Sequence, residues 1–162
     1  MANFVSNVEV TPIAGIDASV VNLELKGLAA FEPVGSWQPS SVVQASADFD
    51  LAVEMEFVGT GAGGWMGGFE FQIQYFLESI GTADEHGPDA GLTVGPILTV
   101  AGTRLYGAGN PPAQATRVTV GGGTLTANTI YRVGAVVNVV RAWDEATNIF
   151  TGYIEGLILQ AR

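Results

Sequence analysis

Cysteine is absent from the 162 residues, which removes disulfides, thiolate zinc sites and cysteine nucleophiles together while fixing no compartment. Basic residues are nearly as scarce. Lys26, Arg104, Arg117, Arg132, Arg141 and Arg162 stand singly against sixteen acidic residues, for a net charge of -10. Phosphate backbones and anionic lipid surfaces are bound by clustered lysine and arginine, so neither nucleic acid nor an anionic membrane is an expected partner. Long apolar runs are missing as well: a glycine, asparagine or charged residue interrupts each one within a few positions, far short of the ~20 residues that span a bilayer. The opening Met1-Ala2-Asn3-Phe4-Val5 has neither the basic flank nor the apolar body of a secretory signal, so neither a signal peptide nor a membrane span is expected, and the compartment stays open. No window carries a sustained helical stripe with start and stop signals, which leaves room for no more than a short helical turn near Asp144–Thr147.

Alternation fills the place of the missing helices. From Ala45 to Phe57, Ala47, Phe49, Leu51, Val53, Met55 and Phe57 alternate with Ser46, Asp48, Asp50, Ala52, Glu54 and Glu56, the period of two that gives a strand one oily and one acidic face. From Phe69 to Ser79, Phe69, Phe71, Ile73, Tyr75 and Leu77 alternate with Glu70, Gln72, Gln74, Phe76 and Glu78. The glycine-rich segment 59–68 between them suits a long hairpin connection. Paired antiparallel, the two strands would bring Glu54 and Glu56 near Glu70 and Glu78, a mild like-charge repulsion.

Weaker alternation recurs over 7–11, 19–26, 92–100, 117–125, 130–141 and 148–160, giving about eight strands separated by Gly/Pro turns. In the stretch 130–141, Tyr131, Val133, Ala135, Val137 and Val139 alternate with Arg132, Val136, Asn138 and Val140, so both faces read as partly covered and the stretch as a central strand. This pattern predicts an all-β, two-sheet antiparallel β-sandwich, jelly-roll or immunoglobulin-like, as a single soluble domain over 1–162. A chain of this length buries roughly 70% of its unfolded surface on folding, enough for one core without staples.

Candidate sites are few. The segment 59–64 has the letters of a dinucleotide fingerprint, but a strand follows where that motif requires a helix. The loop 81–91 gathers Asp84, Glu85, the single histidine His86, and Asp89. Its oxygens suit Ca²⁺ and His86 suits a transition metal, although the spacing matches no EF-hand or zinc pattern and a solvated turn explains the same residues. No cofactor beyond that candidate Ca²⁺ is expected. A serine triad would have to converge on His86, and no Gly-x-Ser-x-Gly elbow is present. A glycosidase-type carboxylate pair would have to come from Glu54, Glu56, Glu70 or Glu78. Trp37, Trp65 and Trp143 lie in or beside turns, where an indole contacts a ligand or partner or closes the core as a lid, the lid being the favoured reading for at least two of the three; Trp37, Trp65 and Phe76, the last on the polar side of its strand, are the candidate contacts.

Charged residues make up 14% of the chain and apolar residues 48%, against roughly a quarter charged in ordinary soluble domains. The leading expectation is therefore a non-enzymatic structural or protein-interaction module that self-associates through apolar, low-charge strand surfaces as a homo-oligomer. A carbohydrate or small-ligand module, Ca²⁺-assisted through the acidic loop, is the alternative; an unrecognised hydrolase is the third.

Overall fold

The computed structural model describes residues 7–12, 21–59, 68–81, 92–100, 102–107, 116–141 and 144–162. Among these, ten strands form two sheets: β1 (Asn7–Pro12), β2 (Asn22–Phe31), β3 (Val42–Val43), β4 (Phe49–Val58), β5 (Phe69–Ser79), β6 (Thr93–Leu98), β7 (Leu105–Tyr106), β8 (Val118–Val120), β9 (Thr129–Arg141) and β10 (Asp144–Ala161). Six belong to one sheet, ordered β1-β10-β9-β5-β6 with β3 alongside β10; four belong to the other, ordered β2-β4-β7 with β8 also on β4. All pairings are antiparallel except β3 with β10. The all-β, two-sheet architecture read from the alternation is thus present, with β9 central in its sheet.

The strongest alternation does not, however, form a hairpin. β4 pairs with β2, β7 and β8, whereas β5 pairs with β9 and β6, so the glycine-rich connection leads from one sheet to the other. Each strand has one fully apolar side, and stacking those sides face to face removes both from water. Tyr75 marks the contact: its hydroxyl accepts a hydrogen bond from the Val53 N–H of β4 at 3.0 Å and donates one to the Thr116 carbonyl. The carboxylates diverge accordingly. Glu54 and Glu56 lie on the outside of the four-stranded sheet, and Glu70 and Glu78 on the outside of the six-stranded one.

One hydrophobic cluster runs between the sheets and includes Leu51, Val53, Met55 and Phe57 of β4, Phe71, Ile73 and Tyr75 of β5, and Val133, Val137 and Val139 of β9. Truncating one of its large aliphatic side chains to alanine typically costs about 2–5 kcal/mol.

Two bulges decide which residues face it. The register of β2 slips between Leu25 and Gly27 and that of β10 between Glu155 and Leu157. The second slip keeps Ile154, Leu157 and Leu159 inside and turns Ile158 out to solvent, because one extra residue reverses the facing of everything beyond it.

Two smaller expectations are corrected. Residues 45–47 form a turn rather than the start of a strand, with the Ala47 N–H donating to the Gln44 carbonyl. Residues 144–147 belong to β10, Asp144 pairing with Arg141, so the chain there continues extended.

Candidate functional site

One end of the outer face of the four-stranded sheet is covered by the chain itself. Phe31 ends β2, and beyond it residues 32–40 fold back over the sheet: the Ser40 N–H donates to the Ala30 carbonyl and the Ser36 N–H to the Pro33 carbonyl. Ala29, Phe31 and Ala52 form a second buried cluster there, apart from the main core.

Arg117, entering β8, lies across this cluster with its Cζ 4.5 Å from the Phe31 ring centroid and 3.9 Å from that of Trp37. The two rings meet edge to face at 5.7 Å. The guanidinium donates from Nη1 to Asp50 Oδ2 at 2.8 Å and from Nη2 to the Ser36 carbonyl at 2.5 Å. Asp50 also accepts from Thr119 Oγ1 at 2.7 Å and from the Gly35 N–H at 3.0 Å. A buried carboxylate is tolerable only when so paired, and here it joins strap, sheet and β8 in one bonded unit.

Asp50 is thus no part of a solvated acidic stripe. It is buried, although alternation alone put it on the wet side of β4. The signal for its role is non-local: Arg117 and Thr119 stand 67 and 69 positions away along the chain. The Trp37 ring, offered above as a ligand contact, forms the lid of this ion pair while remaining 36% exposed.

Among the described residues, no segment folds over the outer face of the six-stranded sheet. Glu70, Gln72, Gln74, Phe76 and Glu78 project from β5 and Arg132, Val136, Asn138 and Val140 from β9, directly opposed in the order Glu70 to Val140, Gln72 to Asn138, Gln74 to Val136 and Glu78 to Arg132. Phe76 falls opposite Gly134 and is half-buried. A Cβ on Gly134 would lie 3.6 Å from the Tyr153 hydroxyl, so Tyr153 of β10 reaches over the bare backbone that Phe76 meets from the other side. The Tyr153 hydroxyl donates to Glu155 Oε2 at 2.7 Å, and that bond, with partial burial, holds its pKa above the ordinary phenol value.

At the end of this face where β5 finishes, Ile80, Ile130 and Ile158 are 53%, 45% and 47% exposed. The Ile80 N–H donates to the Ile130 carbonyl at 2.8 Å, and Ile158 lies opposite Arg132, one step along from Ile130. Arg132 Nε stands 3.9 Å from Glu78 Oε2, both side chains well exposed. Sequence reading passed over these isoleucines because only the β10 bulge places Ile158 beside the other two.

The metal candidates Asp84, Glu85, His86 and Asp89, together with Trp65, lie outside the described residues. Among the described residues, no group of three or more His, Asp or Glu side chains is placed to hold a metal ion, and no helix is long and apolar enough to cross a membrane. The four glutamates considered as a catalytic pair are split between two opposite outer faces. Glu56 is further engaged by Lys26 Nζ at 2.7 Å, which raises the lysine pKa.

No family model matches the chain, and no curated protein matches it. Among solved structures, the crystal structure of Parabacteroides merdae β-glucuronidase with glycerol in its active site is similar over 88% of this chain and 14% of that one, at 10% identity and a TM-score of 0.34. The chain thus spans only a small part of that protein's length, and likeness at this level carries no functional argument.

Proposed function

We propose that the protein is a non-catalytic self-assembly module whose contact surface is the Ile80 end of the outer face of the six-stranded sheet. The observation that carries this reading is the row of three half-exposed isoleucines on adjacent strands. Contiguous exposed apolar area of this kind marks an interaction surface more often than scattered apolar residues do.

Charge favours a second copy as the occupant. With a net charge of -10, most approaches between two copies are repulsive, and among the described residues this patch places the cation Arg132 next to Glu78 beside its isoleucines, which offsets part of that repulsion. In a twofold arrangement the same patch meets itself, so Arg132 of each copy faces carboxylates of the other.

The strand edges are less suited to the contact. Pro96 and a register slip interrupt β6, and the exposed Lys26 lies on the edge strand β2; proline, bulges and lysine are the usual guards against edge pairing.

Sedimentation velocity across micromolar concentrations tests the proposal. The wild type is expected to show a concentration-dependent shift to a dimeric or larger species, and Ile130→Glu to sediment as a monomer with an unchanged melting temperature. A wild type that stays monomeric throughout overturns it.

A further inference from the structure

At the opposite end of β5, roughly 30 Å along the strand from Ile80, the same outer face is shaped into a groove of about 330 Å³ lined by Glu70, Phe71, Gln72, Pro96, Asn138 and Val140. Its wall is built by a bulge. β6 pairs Ile97 with Phe71 and Val94 with Ile73, leaving both Gly95 and Pro96 against Gln72. Gly95 has φ +98°, and a Cβ there would stand 2.5 Å from the Phe71 carbonyl oxygen; no other residue type allows this close approach. Bulges of this kind re-aim side chains and are over-represented beside binding sites.

The lining chemistry is specific. Gln72 and Asn138 are directly opposed on neighbouring strands, so two amides, each both donor and acceptor, stand side by side with the Glu70 carboxylate next to them. Thr151 Oγ1 donates to Asn138 Oδ1 at 3.2 Å and orients that amide. Pro96 and Val140 supply apolar surface on either flank. Among the described residues no cation lines the groove, and Glu70 together with the net charge of -10 disfavours anions.

We infer that this groove is a binding site for a neutral carbohydrate. Vicinal hydroxyls donate and accept together and so match paired amides and a carboxylate, while the C–H face of a sugar ring packs against Pro96 and Val140. The volume is at the lower end of small-ligand sites, about 300–1,000 Å³, which suits one or two sugar rings. A longer chain leaving along β9 next meets the exposed ring of Tyr153, opposite Val136, a surface on which sugars stack. The site is independent of the self-assembly surface at the other end of β5.

The test is a titration of the ¹⁵N-labelled full chain, as wild type and as Ile130→Glu, with cellotriose, maltotriose, mannotriose, xylotriose and chitotriose, and with a uronic acid as anionic control. The expected result is saturable movement of the Gln72 and Asn138 side-chain amide resonances with at least one neutral trisaccharide, in both proteins, and none with the uronic acid. Glu70→Gln is expected to weaken that binding by about tenfold, within the range for losing one polar contact, without moving the melting temperature. No saturable shift with any of the five sugars overturns the inference, as does an equal response to the uronic acid. Because Ile130→Glu removes only the assembly surface, loss of self-association leaves this result untouched.

Discussion

The two outer faces of the sandwich have been finished differently. On the four-stranded sheet the chain folds its own strap over one end of the surface and fastens it with a buried carboxylate, a guanidinium and two aromatic rings, while Lys26 and Glu56 at the other end stay in contact with solvent. On the six-stranded sheet three isoleucines, a tyrosine and a polar groove are left in water. A chain that straps down one end of one face, while among its described residues nothing lies over the exposed isoleucines of the other, points to the latter as the one used for contact.

The comparison can be broken first at the strap. Asp50→Ala leaves the Arg117 guanidinium buried without its counter-charge, a loss of about 3–5 kcal/mol for such a pair, measurable as a lower urea midpoint. The double variant Asp50→Leu with Arg117→Met is expected to recover much of that stability, since an apolar pair of similar size often matches a buried ion pair. A single-variant cost below about 1 kcal/mol would mean that the ion pair does not hold the strap down.

The core contact between the sheets is the next largest effect. Tyr75→Phe strands the Val53 N–H and removes the hydroxyl's bond to the Thr116 carbonyl, at a cost of about 1–3 kcal/mol. Burial pushes the Tyr75 phenol well above its usual value, opposed only in part by the Val53 hydrogen bond and the Arg117 charge. The folded group therefore stays neutral where the unfolded one ionises, so this contribution is complete below about pH 10 and declines as the pH rises further. Denaturant melts above pH 10 are expected to lose stability less steeply in Tyr75→Phe than in the wild type; equal slopes would contradict this.

Trp37→Ala removes the upper ring over Arg117 and sharpens the contrast between the faces. Its expected cost is about 1–2 kcal/mol, the scale of a largely desolvated cation–π contact, by thermal melt. A smaller effect belongs to the six-stranded sheet: Ile158→Glu is expected to change stability by no more than about 0.5 kcal/mol, as surface substitutions usually do, while abolishing self-association.

Period-two patterning made β4, β5 and β9 legible, because each buries one side completely and its sequence repeats that fact every second residue. What patterning does not encode is the partner. The oily faces of β4 and β5 satisfy a hairpin and a stacked pair equally well, and only the three-dimensional balance of buried area selects stacking. Gly35 and Pro39 mark a turn in the sequence, but Asp50 reads as one more solvated acid until Arg117 and Thr119 arrive from far along the chain. Ile158 was hidden for a different reason: in the run Leu157-Ile158-Leu159 every residue is apolar, and the slip after Glu155 alone decides which of the three faces water. Phe76 was recognisable as an oddity on its polar face, whereas its setting opposite Gly134 and beside Tyr153 depends on β9 and β10 lying next to β5.

The account rests on the isoleucine end of the six-stranded sheet being a contact between copies, and isoleucine methyl spectra recorded over a dilution series test it most directly. The δ1 methyl signals of Ile80, Ile130 and Ile158 should move together with concentration while that of the buried Ile73 stays fixed. Signals from those three that hold constant from micromolar to millimolar protein would contradict it.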